Sequence, residues 1–80
     1  MVIDKKWKHL YKVENSTRIA ELRHDGKSNK GVLRITFCKG GTYDYFNVPF
    51  TTFLAMVSAK SVGKSFEELI KNNYQYKKVE

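Results

Sequence analysis

Residues 41–79 read GTYDYFNVPFTTFLAMVSAKSVGKSFEELIKNNYQYKKV, and the order of local signals in this stretch decides the fold. An aromatic strand pattern at Tyr43 and Tyr45 runs into Val48-Pro49. Proline stops a strand and suits a first helical turn. Phe50, Phe53, Leu54 and Val57 then recur at i, i+3, i+4 and i+7, which predicts an amphipathic helix over 50–59 with that stripe on the core. Beyond a Ser61-x-Gly63 break, Val62, Phe66, Leu69 and Ile70 predict a second helix. It starts between Ser61 and Ser65, with Ser65 and Glu68 at capping-box spacing, and ends by Asn72-Asn73. Tyr74 and Tyr76 alternate with Gln75 and Lys77, the pattern of a short terminal strand or an extended tail on the sheet.

Working back from Gly41, residues 31–38 alternate cleanly, with Leu33, Ile35 and Phe37 on one face and Val32, Arg34, Thr36 and Cys38 on the other. A three-residue turn at Lys39-Gly40-Gly41 pairs Phe37 with Tyr43 and Ile35 with Tyr45. A two-residue turn sends Asp44 to the core face, so the hydrophobic pattern selects the longer one. Residues 25–31 (DGKSNKG) are polar and bracketed by glycines, as in an exposed hairpin loop. Thr17 to His24 forms another strand, with Ala20 and Leu22 toward the core and Ile19, Glu21 and Arg23 away. From Lys6 to Val13 the alternation of Trp7, His9, Tyr11 and Val13 favours a strand, although Trp7, Leu10 and Tyr11 also share a helical face.

The expected architecture is α+β: a small antiparallel sheet of three to four strands with two short helices packed on one face. Eighty residues make one domain, which buries only about 60–65% of its unfolded surface and leaves little apolar volume for a deep cavity. No apolar run reaches the roughly 20 residues of a membrane span, and the first residues lack a secretory apolar centre, so a cytoplasmic protein is expected. One cysteine, Cys38, allows no internal disulfide; with His9 and His24 it falls short of a structural zinc set.

The chain carries 15 basic and 8 acidic residues, a formal charge of +7. That excess attracts polyanions and speeds association with acidic protein surfaces. Twelve of the basic residues are lysines, which make point-like phosphate contacts rather than the forked base contacts of arginine.

The ordered set of His24-Asp25-Gly26, Leu33-x-Ile35-x-Phe37, Gly41, Tyr43-x-Tyr45, Val48-Pro49, Ala59-x-Ser61-x-Gly63, Phe66, Ile70 and Tyr74 resembles the KTSC domain. This short module occurs alone in bacterial and phage proteins and appended to some lysyl-tRNA synthetases. The similarity spans about residues 16–79, with residues 1–15 as an amino-terminal extension forming an added strand and 16–80 as the domain. A tyrosine is usual where His24 stands, and an asparagine usually follows the aromatic at Phe66, where this chain has Glu67. The resemblance implies a small α+β fold and, through the synthetase attachment, RNA or tRNA binding; it brings no catalytic residues.

Arg23, Arg34 and Phe46 share the sheet face turned away from the helices in this register, and basic groups beside an exposed ring hold phosphates while the ring stacks a base. The competing reading covers that face with residues 1–15, making Trp7 and Tyr11 core. Tyr43, Tyr45, Tyr74 and Tyr76 are assigned to packing. Lys5, Lys6, Lys8 and Lys12 form a basic strip, either phosphate-tracking or the solubilising lysines of an edge strand. The candidate nucleic-acid-binding residues are therefore Lys6, Lys8, Arg23, Arg34, Lys39 and Phe46. Cys38 lacks a sequence partner for nucleophile activation, and Asp25, Asp44, Glu67 and Glu68 show no acid–base or metal spacing. The sequence thus predicts a non-catalytic module without cofactor or metal. Its expected partner is RNA or single-stranded DNA, with an acidic protein surface, such as an enzyme inhibited by a phage protein, as the alternative.

Overall fold

The computed structural model describes residues 7–14 and 16–80. Strands β1 (His9–Lys12), β2 (Ile19–His24), β3 (Gly31–Phe37) and β4 (Thr42–Val48) precede helix α1 (Phe50–Ser58). Helix α2 (Val62–Ser65) continues directly into a π-helical turn (Phe66–Ile70), and β5 (Tyr76–Lys78) closes the chain. The five strands form one antiparallel sheet in the order β1-β2-β3-β4-β5. Among the described residues the expected three to four strands become five, because the short, exposed edge strands β1 and β5 also pair.

Side-chain alternation puts Leu22, His24, Leu33, Ile35 and Tyr45 on the face covered by the helices, where they pack with Phe53, Met56, Val62, Phe66 and Ile70. The β3–β4 register differs from the expected one by two residues: Ile35 opposes Tyr43 and Leu33 opposes Tyr45. The Phe37 N–H bonds to the Gly41 carbonyl at 3.0 Å, so the three-residue turn is Cys38-Lys39-Gly40. A shift of two preserves parity, so Leu33, Ile35, Phe37, Tyr43 and Tyr45 keep their expected face.

Ile19 faces the core, contrary to expectation. A bulge between Ile19 and Glu21 puts an extra residue in β2, which restores Ile19 to the same side as Leu22. In α1 the buried stripe is Phe53 and Met56, with Leu54 43% exposed. Ring contacts of Phe50 and Phe53 with His24, at 5.5 and 5.6 Å between centroids, set this rotation. Leu69 is likewise 38% exposed. Ser61, not Ser65, caps α2: its Oγ accepts from the Lys64 N–H at 3.2 Å, while Ser65 Oγ donates to the Val62 carbonyl inside the helix at 2.8 Å.

Candidate nucleic-acid interface

The arginines expected on the far sheet face are there, and both are engaged. Arg23 and Arg34 are cross-strand partners. Arg34 donates Nε and Nη2 to the two oxygens of Asp44 at 2.7 and 3.0 Å, and its guanidinium lies 4.8 Å from the Trp7 ring centroid. Arg23 pairs with Glu21 beside it on β2. Phe46, on β4, is half-buried. Trp7 therefore covers part of this face, whereas Tyr11 lies opposite Leu22 on the helix side and is 38% exposed. Lys8 is exposed beside β1 and Lys39 is exposed at the tip of the β3–β4 turn; Lys6 lies outside the described residues.

A second constellation joins segments far apart in sequence. Tyr11 of β1, Arg18 before β2, and Lys60, Ser61, Gly63 and Lys64 around the start of α2 line a groove of about 440 Å³. Ser16 shapes its floor, since its Oγ accepts from the Arg18 and Ile19 N–H groups at 3.2 Å each. Gly63 lets Arg18 cross the helix start closely, because a Cβ there would sit 3.3 Å from Arg18 Cδ. Arg18 Nη2 reaches Glu67 Oε1 at 3.0 Å. That hydrogen bond, followed by the guanidinium charge, holds the Glu67 carboxyl below the usual carboxylate range. Sequence patterning does not reveal this site: nothing in it singles out Arg18, and Tyr11 reads only as strand or core.

Cys38 is exposed, and its Sγ is 3.7 Å from the Ser16 carbonyl. Among the described residues, no group of three or more His, Cys, Asp and Glu is placed to hold a metal ion, and no helix is long and apolar enough to cross a membrane.

The sequence model of the KTSC domain matches residues 15–74. The chain belongs to the KTSC domain family. It is also similar to a crystal structure of a KTSC domain protein from Yersinia pestis, with 30% sequence identity, a TM-score of 0.81, and coverage of 90% of this chain and 97% of that one. No curated protein matches the sequence.

At the two positions where this KTSC domain departs from the pattern described above, the structure supplies local partners. His24 is buried, accepting from the Gly26 N–H at Nδ1 (2.9 Å) and donating from Nε2 to the Val48 carbonyl (2.8 Å). It thereby ties the Asp25-Gly26 turn to the end of β4. Asp25 completes that turn by accepting from the Lys27 and Val32 N–H groups at 3.1 and 3.2 Å. Glu67, in place of the usual asparagine, anchors Arg18 at the groove.

Proposed function

We propose that this KTSC domain is a non-catalytic module that binds RNA or single-stranded DNA mainly through backbone phosphates. The observation that carries the reading is the groove in which exposed Tyr11 stands with Lys60 and Lys64, beside Arg18, whose guanidinium is bridged to Glu67 on one side, and with Glu14 also on the lining. Cations that track phosphates beside a ring that stacks a base are the chemistry of sequence-tolerant strand binding. Arg34 is less suited to phosphate contact than the sequence suggested, because its fork is already matched to a carboxylate. Lys8 and Lys39 remain exposed contributors to the positive field. The test is anisotropy titration of a labelled oligouridylate with the wild type and with Lys60→Ala/Lys64→Ala. The double variant should bind at least about tenfold more weakly if two phosphate contacts are lost. Equal affinity would move the binding surface elsewhere.

A second reading, docking to an acidic protein surface, is favoured by a shallow groove of about 470 Å³ on the helix layer, where Leu69 and Ala55 meet Lys60 and Lys64. Apolar contact rimmed by charge is the anatomy of a protein interface. Nuclease treatment during affinity capture separates the readings: recovery lost with nuclease supports strand binding, and a single nuclease-resistant acidic protein supports docking.

A further inference from the structure

At the other end of the α2 segment, where the π-helical turn gives way to β5, an aromatic pocket of about 230 Å³ opens to solvent. Phe37, Tyr43, Tyr45 and Phe66 form its walls, and Tyr76 stands over it from the edge strand. The Tyr76 ring centroid is 5.7 Å from Tyr43 and 5.4 Å from Tyr45, yet Tyr76 is 61% exposed. Tyr76 thus stays largely open to water, whereas Tyr45 beneath it is buried. The volume is below the roughly 300 Å³ at which drug-sized sites begin, so it suits a single planar ring.

The rim selects the charge of the ligand. Lys71 and Asn72 line the pocket, and Lys78 Nζ lies 6.0 Å from the Tyr43 ring centroid. Among the described residues, no carboxylate lines it. Aromatic enclosures of this kind also take organic cations, but two lysines beside the opening oppose a cation and favour a ring that carries an anion. Asn72, whose backbone has φ at 68°, brings to the lining a residue type with both donor and acceptor groups.

We infer that this pocket binds one nucleotide, its base stacked against the exposed Tyr76 ring and the half-buried Tyr43 ring over buried Tyr45, and its phosphate at Lys71 and Lys78. The same chemistry is offered by a free nucleotide and by an unpaired nucleotide within a strand. The site goes beyond the phosphate groove and does not depend on it, since the two flank the α2 segment from opposite ends.

The test is an amide and aromatic NMR titration of the full chain with adenosine 5′-monophosphate and, separately, with a short oligouridylate; ribose 5-phosphate is the ringless control. The nucleotide should move the Tyr43, Tyr45 and Tyr76 signals while ribose 5-phosphate leaves them in place. Tyr76→Ala should weaken binding about 5- to 150-fold, the equivalent of one base–aromatic stack. Lys71→Glu, a surface change that preserves the walls, should weaken it as well, whereas Lys60→Ala/Lys64→Ala should leave mononucleotide binding unchanged. Movement of the tyrosine signals by the oligouridylate alone supports the pocket and identifies the strand as the source. Tyrosine signals unmoved by both probes, or wild-type affinity in both Tyr76→Ala and Lys71→Glu, overturn the proposal. If in that case Lys60→Ala/Lys64→Ala still weakens oligouridylate binding, the groove stands and only the pocket falls.

Discussion

Gly31 shows how one residue holds a connection together. A Cβ at this position would meet His24 Cε1 at 2.5 Å and Asp25 Oδ1 at 2.7 Å, and both partners are locked by the hydrogen bonds of the Asp25-Gly26 turn. Neither can retreat without giving up a bond. Gly31→Ala should therefore cost about 1–3 kcal/mol, the range of overpacking a tight site, read from the urea midpoint. A wild-type midpoint would mean that the turn is looser than these contacts describe. Glu67 acts through charge instead. Its carboxyl is held low by Arg18, so the Arg18 pair contributes stability above the unfolded carboxyl's range and loses it as pH falls through the folded value. The stability difference between wild type and Glu67→Gln, measured by denaturation from neutral to acid pH, should shrink toward zero on acidification. A difference that persists unchanged in acid contradicts a charge-based role.

For individual elements, helix rotation and strand register distinguish what was legible in the sequence. The faces of β3 and β4 followed from alternation and survived a two-residue error in register, because a period of two is blind to even shifts. The bulge at Ile19 was not legible, since it depends on how β2 meets the end of β3. Nor was the rotation of α1: Leu54 and Met56 are similar in hydrophobicity, and the choice is made by the seating of Phe50 and Phe53 on His24. Met56→Ala should cost about 2–5 kcal/mol, while Leu54→Ala, at an exposed position, should stay within about 0.5 kcal/mol. Thermal or urea unfolding of the pair decides the rotation, and reversed costs would refute it. Tyr45 joins β4 to β5 in the same way. Burial, then the nearby Tyr76 and Tyr43, raises its hydroxyl above the ordinary tyrosine value. The sign follows: this stability is complete below the unfolded tyrosine value and is lost as pH rises through the folded one. Tyr45→Phe should thus flatten the alkaline fall in stability measured by chemical denaturation, and an equally steep fall in the variant would reject this cause.

Across the whole molecule, the fold class and the family were legible because each depends on the order of local patterns along the chain. The binding surface was less so. The sequence singled out Arg23, Arg34 and Phe46 from strand parity, but parity does not show that Asp44, Trp7 and Glu21 meet those arginines. The groove of Tyr11, Arg18, Lys60 and Lys64 exists only once β1 has paired with β2 and the α1–α2 connection lies across from them. Its one sequence signal was the Ser61-x-Gly63-Lys64 break, which read as a helix boundary. The central claim, that this KTSC domain holds single strands through phosphates, makes its sharpest prediction in the salt dependence of binding. Anisotropy titrations of RNA and single-stranded DNA across a range of salt concentrations should give a log–log slope of about −3 to −4, as for four to six neutralised phosphates, with little dependence on sequence. Affinity no tighter than about 100 μM at physiological salt, the level of generic non-specific association, or a slope near zero, would contradict it.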